Sequence, residues 1–552
     1  MKNMYRITLV AVSIAALLTG CATTRSDSLG LVNNEATKTY AAAYQPARDL
    51  LNAGNFDEIK TKMLANAVDK NGQALTNEET HEKLLKEASE LSLMERGLLS
   101  LNMGEFERAL FYFDIAEEKL NLAEDSSSVA DTSASLAKSG LAMLTGASEM
   151  ADYEVRSYEK VMLLNYKALC HMLLGDRKAY NVTRRAIDLQ QEEWEKFQQK
   201  KAKFEEDLAK KGMKLGSDGM PVASQESAAK KAEEARKAAE KAQQKAQQQQ
   251  ARQSKFNPFS SLGFGGNSNQ KAAAPAADPF ADLSQIVSSI DVDDRSKETK
   301  KKAGLVASAY VNPFGDYMNA LLQEFDSLED TSLRDNARIS YEKVVQNNKD
   351  CKAAKVAQKN VMKGIGKNKK LVQVILSDGF APYQLEKSQS FTVGKYHATL
   401  NFSNATPVET PVAEAQVKVG NKTVKMSSLT RMESIILRDE QDNMPWRAMH
   451  TALALVRSAL ANEKAGALGG LLAGAMQHPD TRSWLTLPNQ VLVSRIVVPA
   501  NQNTLELSTV GKDGKTLTTT QVEIAEKGPS VVYAVNYGSH LKAYANAFSW
   551  VK

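Results

Sequence analysis

The stretch LMERGLLSLNMGEFERALFYFDIAEEKL, Leu93 to Leu120, decides the fold predicted for the first half of this chain. Its apolar residues recur at the three- and four-residue spacing of amphipathic helices, and the segment NMGEF interrupts that spacing once. Gly104 predicts a tight turn there, because glycine tolerates the backbone conformations that end a helix. Gly97 and Ala109, one on each predicted helix, are small enough for close helix contact. The stretch therefore predicts a helical hairpin.

The small and aromatic residues of this hairpin resemble the pattern of a tetratricopeptide (TPR) repeat. The matching positions are Gly97, Gly104, Phe106, Ala109, Phe113 and Ala116. Weaker copies lie at Gly54, Phe56 and Ile59, at Ala168, Gly175, Ala179 and Ala186, and at Ala337, Tyr341 and Val344. A stripe that only fills a core is the alternative for any one copy. Together they predict a TPR-like α-solenoid over residues 38–197, with a concave face that holds a peptide or another protein.

The N-terminal leader predicts a targeting segment. Lys2 and Arg6 precede the apolar run from Ile7 to Leu18, which is too short to span a bilayer and typical of a signal peptide. The following Leu18-Thr19-Gly20-Cys21 resembles the lipobox of bacterial lipoproteins. An ordinary cleaved signal with an incidental cysteine is the alternative.

The lipobox resemblance implies cleavage between Gly20 and Cys21, removal of residues 1–20, and acylation of the Cys21 thiol. The acyl chains would then hold the protein at the bilayer without a transmembrane helix. Ala22 follows the cysteine where inner-membrane lipoproteins usually carry aspartate, so the resemblance implies the outer membrane, with the protein facing the periplasm. Residues 21–37 are predicted to be a tether.

A change in composition predicts an insert at residues 198–300. Its first part is rich in Glu, Lys, Ala and Gln, which predicts a solvated single helix, with a coiled coil as the less favoured alternative because leucine and isoleucine are absent at heptad spacing. Its second part, SKFNPFSSLGFGGNSNQKAAAPAADPF, predicts a largely disordered linker, and its phenylalanines suggest short docking motifs as an alternative. Residues 301–366 are predicted to continue the helical array.

Residues 367–552 predict a β-rich domain. Strand patterns occur at 371–376, 390–401, 413–419, 491–498, 504–508, 516–524 and 530–537, with turn residues between several of them. They predict an antiparallel β-sandwich-like domain, or a partly open barrel, interrupted by a helical insertion at about 445–476. The predicted fold class is therefore multidomain α+β.

Four segments together resemble a family of proteobacterial outer-membrane lipoproteins with TPR-like helices and a β-rich C-terminal domain. They are the lipobox, Tyr158 to Asp176, the Asn312-Pro313 segment with its following helix, and PDTRSWLTLPNQVLVSRIVVPA from Pro479 to Ala500. The resemblance covers most of the chain outside the insert. The family has no established enzymatic residues to carry over, so it implies no catalytic site.

The composition argues against several classes of function. With 70 basic and 65 acidic residues, the net charge of +5 gives no indication of a nucleic-acid partner. Neither metal-site spacing nor a nucleophile or phosphate-loop motif occurs, so we predict no enzyme, no cofactor and no metal site. The alternative class is an envelope enzyme acting on glycan or peptide through residues brought together by the fold.

Three further features leave alternatives open. Arg482 and Trp484 suggest a polar binding feature, with a guanidinium fork beside a stacking ring, or else local pairing beside a core anchor. Cys170 and Cys351 are predicted to be buried free thiols in preference to a disulfide. The predicted function is a lipid-anchored adaptor that binds envelope protein partners, and display on the cell surface is the alternative to a periplasmic position.

Overall fold

The computed structural model describes residues 25–26, 32–33, 40–62, 76–125, 153–216, 219–224, several positions between 233 and 247, and residues 297–393, 396–405, 407–465 and 480–547. The leader, Gly20, Cys21 and most of the predicted insert lie outside the described residues. The fold is mixed α and β, as predicted. It arranges helices on one side of a five-stranded sheet and a second, four-stranded sheet on the other.

Helices make up most of the described residues in the first half of the chain, and further helices follow the insert. They are α1 Tyr40–Asn52, α2 Phe56–Lys62, α3 Asn77–Glu87, α4 Glu90–Asn102, α5 Phe106–Asp125, α6 Ser157–Leu173, α7 Lys178–Lys210, α8 Lys297–Ala303, α9 Phe314–Asp326, α10 Arg334–Asn347, α11 Lys352–Asn360 and α12 Met432–Ala465. Short 3-10 turns span Thr331–Leu333 and Val361–Lys363.

The strands are short and mostly antiparallel. They are β1 Arg25–Ser26, β2 Val32–Asn33, β3 Met213–Leu215, β4 Pro221–Ala223, β5 Lys369–Asp378, β6 Gln384–Val393, β7 Tyr396–Ala405, β8 Val412–Val419, β9 Lys422–Lys425, β10 Ser427–Arg431, β11 Gln490–Pro499, β12 Thr504–Gly511, β13 Thr516–Glu523, β14 Ser530–Tyr537 and β15 His540–Ala547. The larger sheet has the order β10-β11-β5-β14-β15, and the smaller has β13-β12-β8-β9.

Three predicted helical hairpins share one turn geometry. Gly54, Gly104 and Gly175 lie between α1 and α2, α4 and α5, and α6 and α7, with φ of 73°, 77° and 71°. In each, the N–H after the glycine donates to the carbonyl five residues earlier, at 2.9, 2.9 and 2.8 Å. A residue with a β-carbon is strained at such φ values, so the backbone favours glycine at all three of these predicted turns.

The sheet covers the turn ends of these hairpins. A β-carbon on Gly54 would meet the His540 ring at 2.5 Å, and one on Gly104 would meet the Tyr544 ring at 2.5 Å. Asn546 donates to the Leu173 carbonyl beside the third turn. These three residues all belong to β15, so a single edge strand contacts all three turns.

The five-stranded sheet is apolar on both faces. Successive residues of a strand point to opposite faces, and here both sets include apolar residues. Residues such as Ile375, Val493 and Tyr533 join the apolar cluster of the helices. Their neighbours Val374, Leu492 and Val532 pack against residues of the smaller sheet. One cluster thus runs across the boundary predicted at residues 366 and 367, and the helical and β-rich parts share a core.

Several predicted boundaries are wrong. Helix α7 crosses residue 198, after which the first part of the insert was predicted to be helical, and it ends at Lys210 with the β3–β4 hairpin after it. The helix expected to start near Pro445 starts at Met432 and carries that proline in its interior. The single strand expected at 390–401 is a hairpin of β6 and β7. The larger sheet also contains one parallel pair, β5 with β14, which the antiparallel prediction missed.

Gly97→Ala tests the close contact between α4 and α5. A β-carbon there would lie 2.3 Å from Cε1 of Phe113, whose fully buried ring contacts Tyr166 and Trp484. We expect a loss of about 1–3 kcal/mol in the free energy of unfolding, measured by chemical denaturation. Adding Phe113→Leu should make the double variant less destabilised than the two single losses predict. Wild-type stability of Gly97→Ala would show that the helices separate easily.

Candidate functional site

A buried segment without regular secondary structure marks the junction of helices and sheet. Residues 481–489, TRSWLTLPN, precede β11 and are all buried. Such a segment lacks the hydrogen bonds of a helix or strand, so its backbone N–H groups need other acceptors. Two carboxylates supply them, Glu95 from α4 and Glu159 from α6, and both residues are 0% exposed. We call residues 481–489 the inner segment.

Glu95 accepts hydrogen bonds from two successive residues of the inner segment. Its Oε1 lies 2.6 Å from the Leu485 nitrogen and its Oε2 lies 3.2 Å from the Thr486 nitrogen. The Thr486 hydroxyl also donates to Oε2. The Tyr40 hydroxyl approaches Oε1 from α1, at 3.4 Å. One carboxylate therefore accepts from four donors, three in the inner segment and one in α1.

Glu159 makes the corresponding contact one residue earlier. Its Oε1 accepts from the Trp484 nitrogen at 2.9 Å, and its Oε2 accepts from the Tyr153 hydroxyl at 2.6 Å and the Arg156 nitrogen at 3.0 Å. The two helices thus bind the backbone N–H groups of three consecutive residues, Trp484 to Thr486. Three of the four hydrogen bonds from the inner segment come from its backbone, and the fourth comes from the Thr486 hydroxyl.

Burial governs the protonation of both acids. It raises the pKa of Glu95 from 4.5 to about 7, although the hydrogen bonds from Thr486 and Leu485 act in the opposite direction. It also raises the pKa of Glu159, against the lowering effect of the Arg156 charge. Both shifts follow from desolvation, and neither places a base or acid beside an open cleft.

Trp484 is the apolar anchor of the inner segment. Its side chain is 2% exposed, and its ring meets those of Phe113 and Tyr166 at centroid distances of 6.4 and 6.1 Å in edge arrangements. The stacking-face interpretation does not fit this position, because no face of the ring reaches solvent. The alternative of a core anchor fits it.

Arg482 pairs locally. Local pairing was the alternative to the predicted polar binding role. Its guanidinium contacts both oxygens of Asp480, at 2.9 and 2.7 Å, and lies 5.3 Å from the centre of the Tyr153 ring. The residue is 4% exposed. It therefore fixes the start of the inner segment, and its fork is already engaged.

The remaining predicted positions serve packing. Ala109, Phe113, Ala116, Ala337 and Tyr341 are all 0% exposed. Phe106 contacts Tyr544 of β15 with ring centres 6.0 Å apart, and the Lys542 ammonium lies 4.6 Å from the Phe56 ring. Cys170 and Cys351 are buried free thiols, as predicted. Gly97 and Phe113 come together with Trp484, although sequence placed Trp484 in a different domain.

Sequence reasoning missed Glu95 and Glu159. Each stands within an apolar helix, in LSLMERGLL and in YEKVMLL, where a charged residue on a buried face is costly unless it has partners. That conflict with the helical pattern was the available signal. It would have predicted two buried acceptors without identifying the segment that donates to them.

The described residues give no sign of metal chemistry or of a membrane span. Among them, no group of three or more His, Cys, Asp and Glu side chains is arranged to hold a metal ion. In the same part of the chain, every helix is either too short or too polar to cross a bilayer. Comparison of the chain with protein-family models, curated proteins and solved structures finds no match.

Proposed function

We propose that this chain is a lipoprotein adaptor of the outer membrane, anchored through acylated Cys21, facing the periplasm and binding envelope protein partners. The observation that carries the proposal is the sequence Leu18-Thr19-Gly20-Cys21 directly after a basic and apolar leader. An acyl anchor of several chains contributes about 0.8 kcal/mol per buried methylene, which is enough for stable attachment.

The finer fold assignment belongs to the same proposal. We assign the helices to a TPR-like array, supported by the three equivalent glycine turns and by the close contact of Gly97 with Phe113. We assign the two stacked sheets to a sandwich, supported by their shared apolar layer. We also propose that the chain belongs to the family of proteobacterial outer-membrane lipoproteins that its sequence resembles.

The inner segment changes where a partner would bind. A TPR array usually holds its partner on its inner helices, but here Glu95 and Glu159 of α4 and α6 bind the chain's own residues 484–486. Residues of the five-stranded sheet also pack in the same apolar cluster as these helices. The adaptor proposal therefore places the partner on the outward surface, where Trp194 of α7 is 36% exposed beside Phe197 and Tyr310.

Cys21→Ala tests the anchor. In cells fed labelled palmitate, we expect the variant to lose the label, because the acceptor thiol is gone, and to accumulate as uncleaved precursor. Cys170→Ala is the matched control, since it removes a buried thiol and should leave labelling unchanged. Labelled, processed Cys21→Ala protein would refute the anchor.

Trp194→Ala tests the adaptor role separately. After crosslinking in intact envelopes and purification, we expect a defined protein to accompany the wild type and to be lost from the Trp194→Ala variant. Leu517→Ala, which truncates an equally exposed apolar residue at 36% on the smaller sheet, should retain it. Purification of the wild type alone would argue against an adaptor, and equal capture by both variants would argue against this surface.

A further inference from the structure

Helix α11 presents a row of lysines with an apolar residue among them. Lys352, Lys355, Val356 and Lys359 stand at positions i, i+3, i+4 and i+7, which share one face of a helix. All four are exposed, with Val356 at 48%, whereas Ala354 and Ala357 on the opposite face are fully buried. The helix is therefore amphipathic, with a basic outer face.

Further exposed lysines flank the helix in the sequence. Lys349 precedes it, Lys363 and Lys367 follow it, and Lys369 is the first residue of β5; all four are exposed. Met362 lies among them and is 48% exposed. We call the seven exposed lysines of residues 349–369, with Val356 and Met362, the lysine face.

The lysine face holds more positive charge than the whole chain. Residues 349–370 contain eight lysines and one aspartate, a net charge of +7, whereas the full chain carries +5. The remaining residues together are therefore net negative, at −2. A charge concentrated in this way creates a local field that the overall balance conceals.

The nearby carboxylates are already engaged. Asp350 pairs with Arg431 at 3.2 Å, and Glu414, which Lys352 influences, pairs with Lys425. Across the described residues, none of the seven lysines forms an ion pair of its own with a carboxylate. A solvated surface is the ordinary outcome for exposed lysines, but this one also leaves two apolar side chains in water between them.

The apolar members favour a lipid surface over a nucleic acid. Lysine stems and exposed aliphatic side chains enter the boundary between headgroups and acyl chains while the ammonium groups stay among the phosphates. Residues 349–370 contain no aromatic residue that could stack on bases. They also contain no arginine that could form bidentate hydrogen bonds with a phosphate or a base edge. The chemistry of the lysine face therefore matches anionic lipid headgroups.

We propose that the lysine face binds the surface of an anionic bilayer, with Val356 and Met362 entering the headgroup boundary. The contact orients the chain, so that the edge carrying α11 lies against the membrane. It is a second attachment that does not depend on acylation of Cys21. The membrane contact could therefore be disproved while the adaptor proposal still holds, and the reverse is also true.

The test uses residues 22–552, the chain without the predicted leader and without Cys21, and measures flotation with lipid vesicles. Vesicles of phosphatidylcholine alone are compared with vesicles that also contain phosphatidylglycerol. The test variant replaces Lys352, Lys355 and Lys359 with glutamine, which keeps a similar helix preference. The control replaces three other exposed lysines in the same way, namely Lys422 of β9, Lys512 between β12 and β13, and Lys527 between β13 and β14.

We expect the parent chain to prefer the anionic vesicles and to lose that preference at high salt. Each lysine at an anionic surface contributes about fivefold, so the test variant should bind about 100-fold more weakly, and the control much less so. Val356→Ser with Met362→Ser should also weaken binding while leaving the charge intact. Thermal unfolding of each variant verifies that it is folded.

Three results would overturn the proposal. One is equal binding of the parent chain to neutral and anionic vesicles. Another is equal binding of the test and control variants to anionic vesicles. The third is lysine-dependent binding to a short nucleic-acid duplex without lysine-dependent binding to vesicles, which would assign the face to a different polyanion.

Discussion

Glu95→Ala is expected to lower the free energy of unfolding by about 3–5 kcal/mol. The substitution leaves four buried donors without their acceptor, namely the Leu485 and Thr486 nitrogens and the hydroxyls of Thr486 and Tyr40. Each unsatisfied buried donor costs about 1–3 kcal/mol, and the removal of a buried charge offsets part of that cost. Urea denaturation at neutral pH measures the loss.

Glu95→Gln separates the hydrogen bonds from the charge. The amide keeps one acceptor oxygen but turns an NH₂ group toward donors, so we expect a smaller loss than for alanine, about 1–3 kcal/mol. Glu107→Ala removes an exposed carboxylate from the start of α5 and should change stability by at most about 0.5 kcal/mol. A Glu95→Ala protein as stable as the Glu107→Ala control would show that water replaces the carboxylate without cost.

The same substitution has a pH signature. Because the pKa of Glu95 is raised from 4.5 to about 7, the folded chain retains a proton that the unfolded chain has already released. Stability from this group is therefore constant below about pH 4.5, falls by about 3 kcal/mol as the pH rises to about 7, and is constant above. Glu95→Gln should flatten that fall. The raised pKa of Glu159 contributes in the same direction and leaves a residual slope.

Local rules in the sequence predicted the helical hairpins well. Gly54, Gly104 and Gly175 were identifiable because a tight helix turn requires a backbone conformation that glycine adopts most easily. The buried strands β5, β11 and β14 were identifiable from runs of branched residues. Boundaries failed where a local rule met a stronger tertiary contact, as when α12 continued through Pro445, a residue that more often begins a helix.

Contacts between distant segments were beyond the sequence. Nothing local in Trp484 indicates that its ring meets Phe113, which lies 371 positions earlier in the numbering. The parallel pairing of β5 with β14 likewise depends on how the whole sheet is ordered. The lysine face was missed for a different reason. The net charge of the whole chain does not show where the charges lie along the sequence.

Arg495→Ala is expected to destabilise the fold by about 3–5 kcal/mol, because it leaves a buried carboxylate without its cation. Arg495 of β11 contacts Glu324 of α9 through Nε at 2.9 and 3.0 Å and through Nη2 at 2.5 Å, and the two side chains are 5% and 2% exposed. Burial alone would lower the pKa of Arg495, but Glu324 raises it above its ordinary value. The pair joins the helical layer to the sheet.

The neighbours of the pair explain why alanine is costly there. The Tyr341 hydroxyl donates to Glu324 Oε2 at 2.7 Å, and Gln373 of β5 donates to the same oxygen at 3.3 Å. Gln373 in turn accepts from Tyr317 at 2.8 Å. Without the guanidinium, these neutral donors cannot balance the carboxylate in a dry interface.

A double variant decides whether charge imbalance is the cause. Arg495→Met with Glu324→Gln removes both charges, keeps an acceptor for Tyr341 and roughly preserves volume, so it should be more stable than Arg495→Ala alone. Arg338→Ala breaks an exposed pair with Asp335 on α10 and should leave the unfolding curve unchanged. If the double variant loses as much as Arg495→Ala, the pair acts through its shape and packing, and charge imbalance is not what makes the single substitution costly.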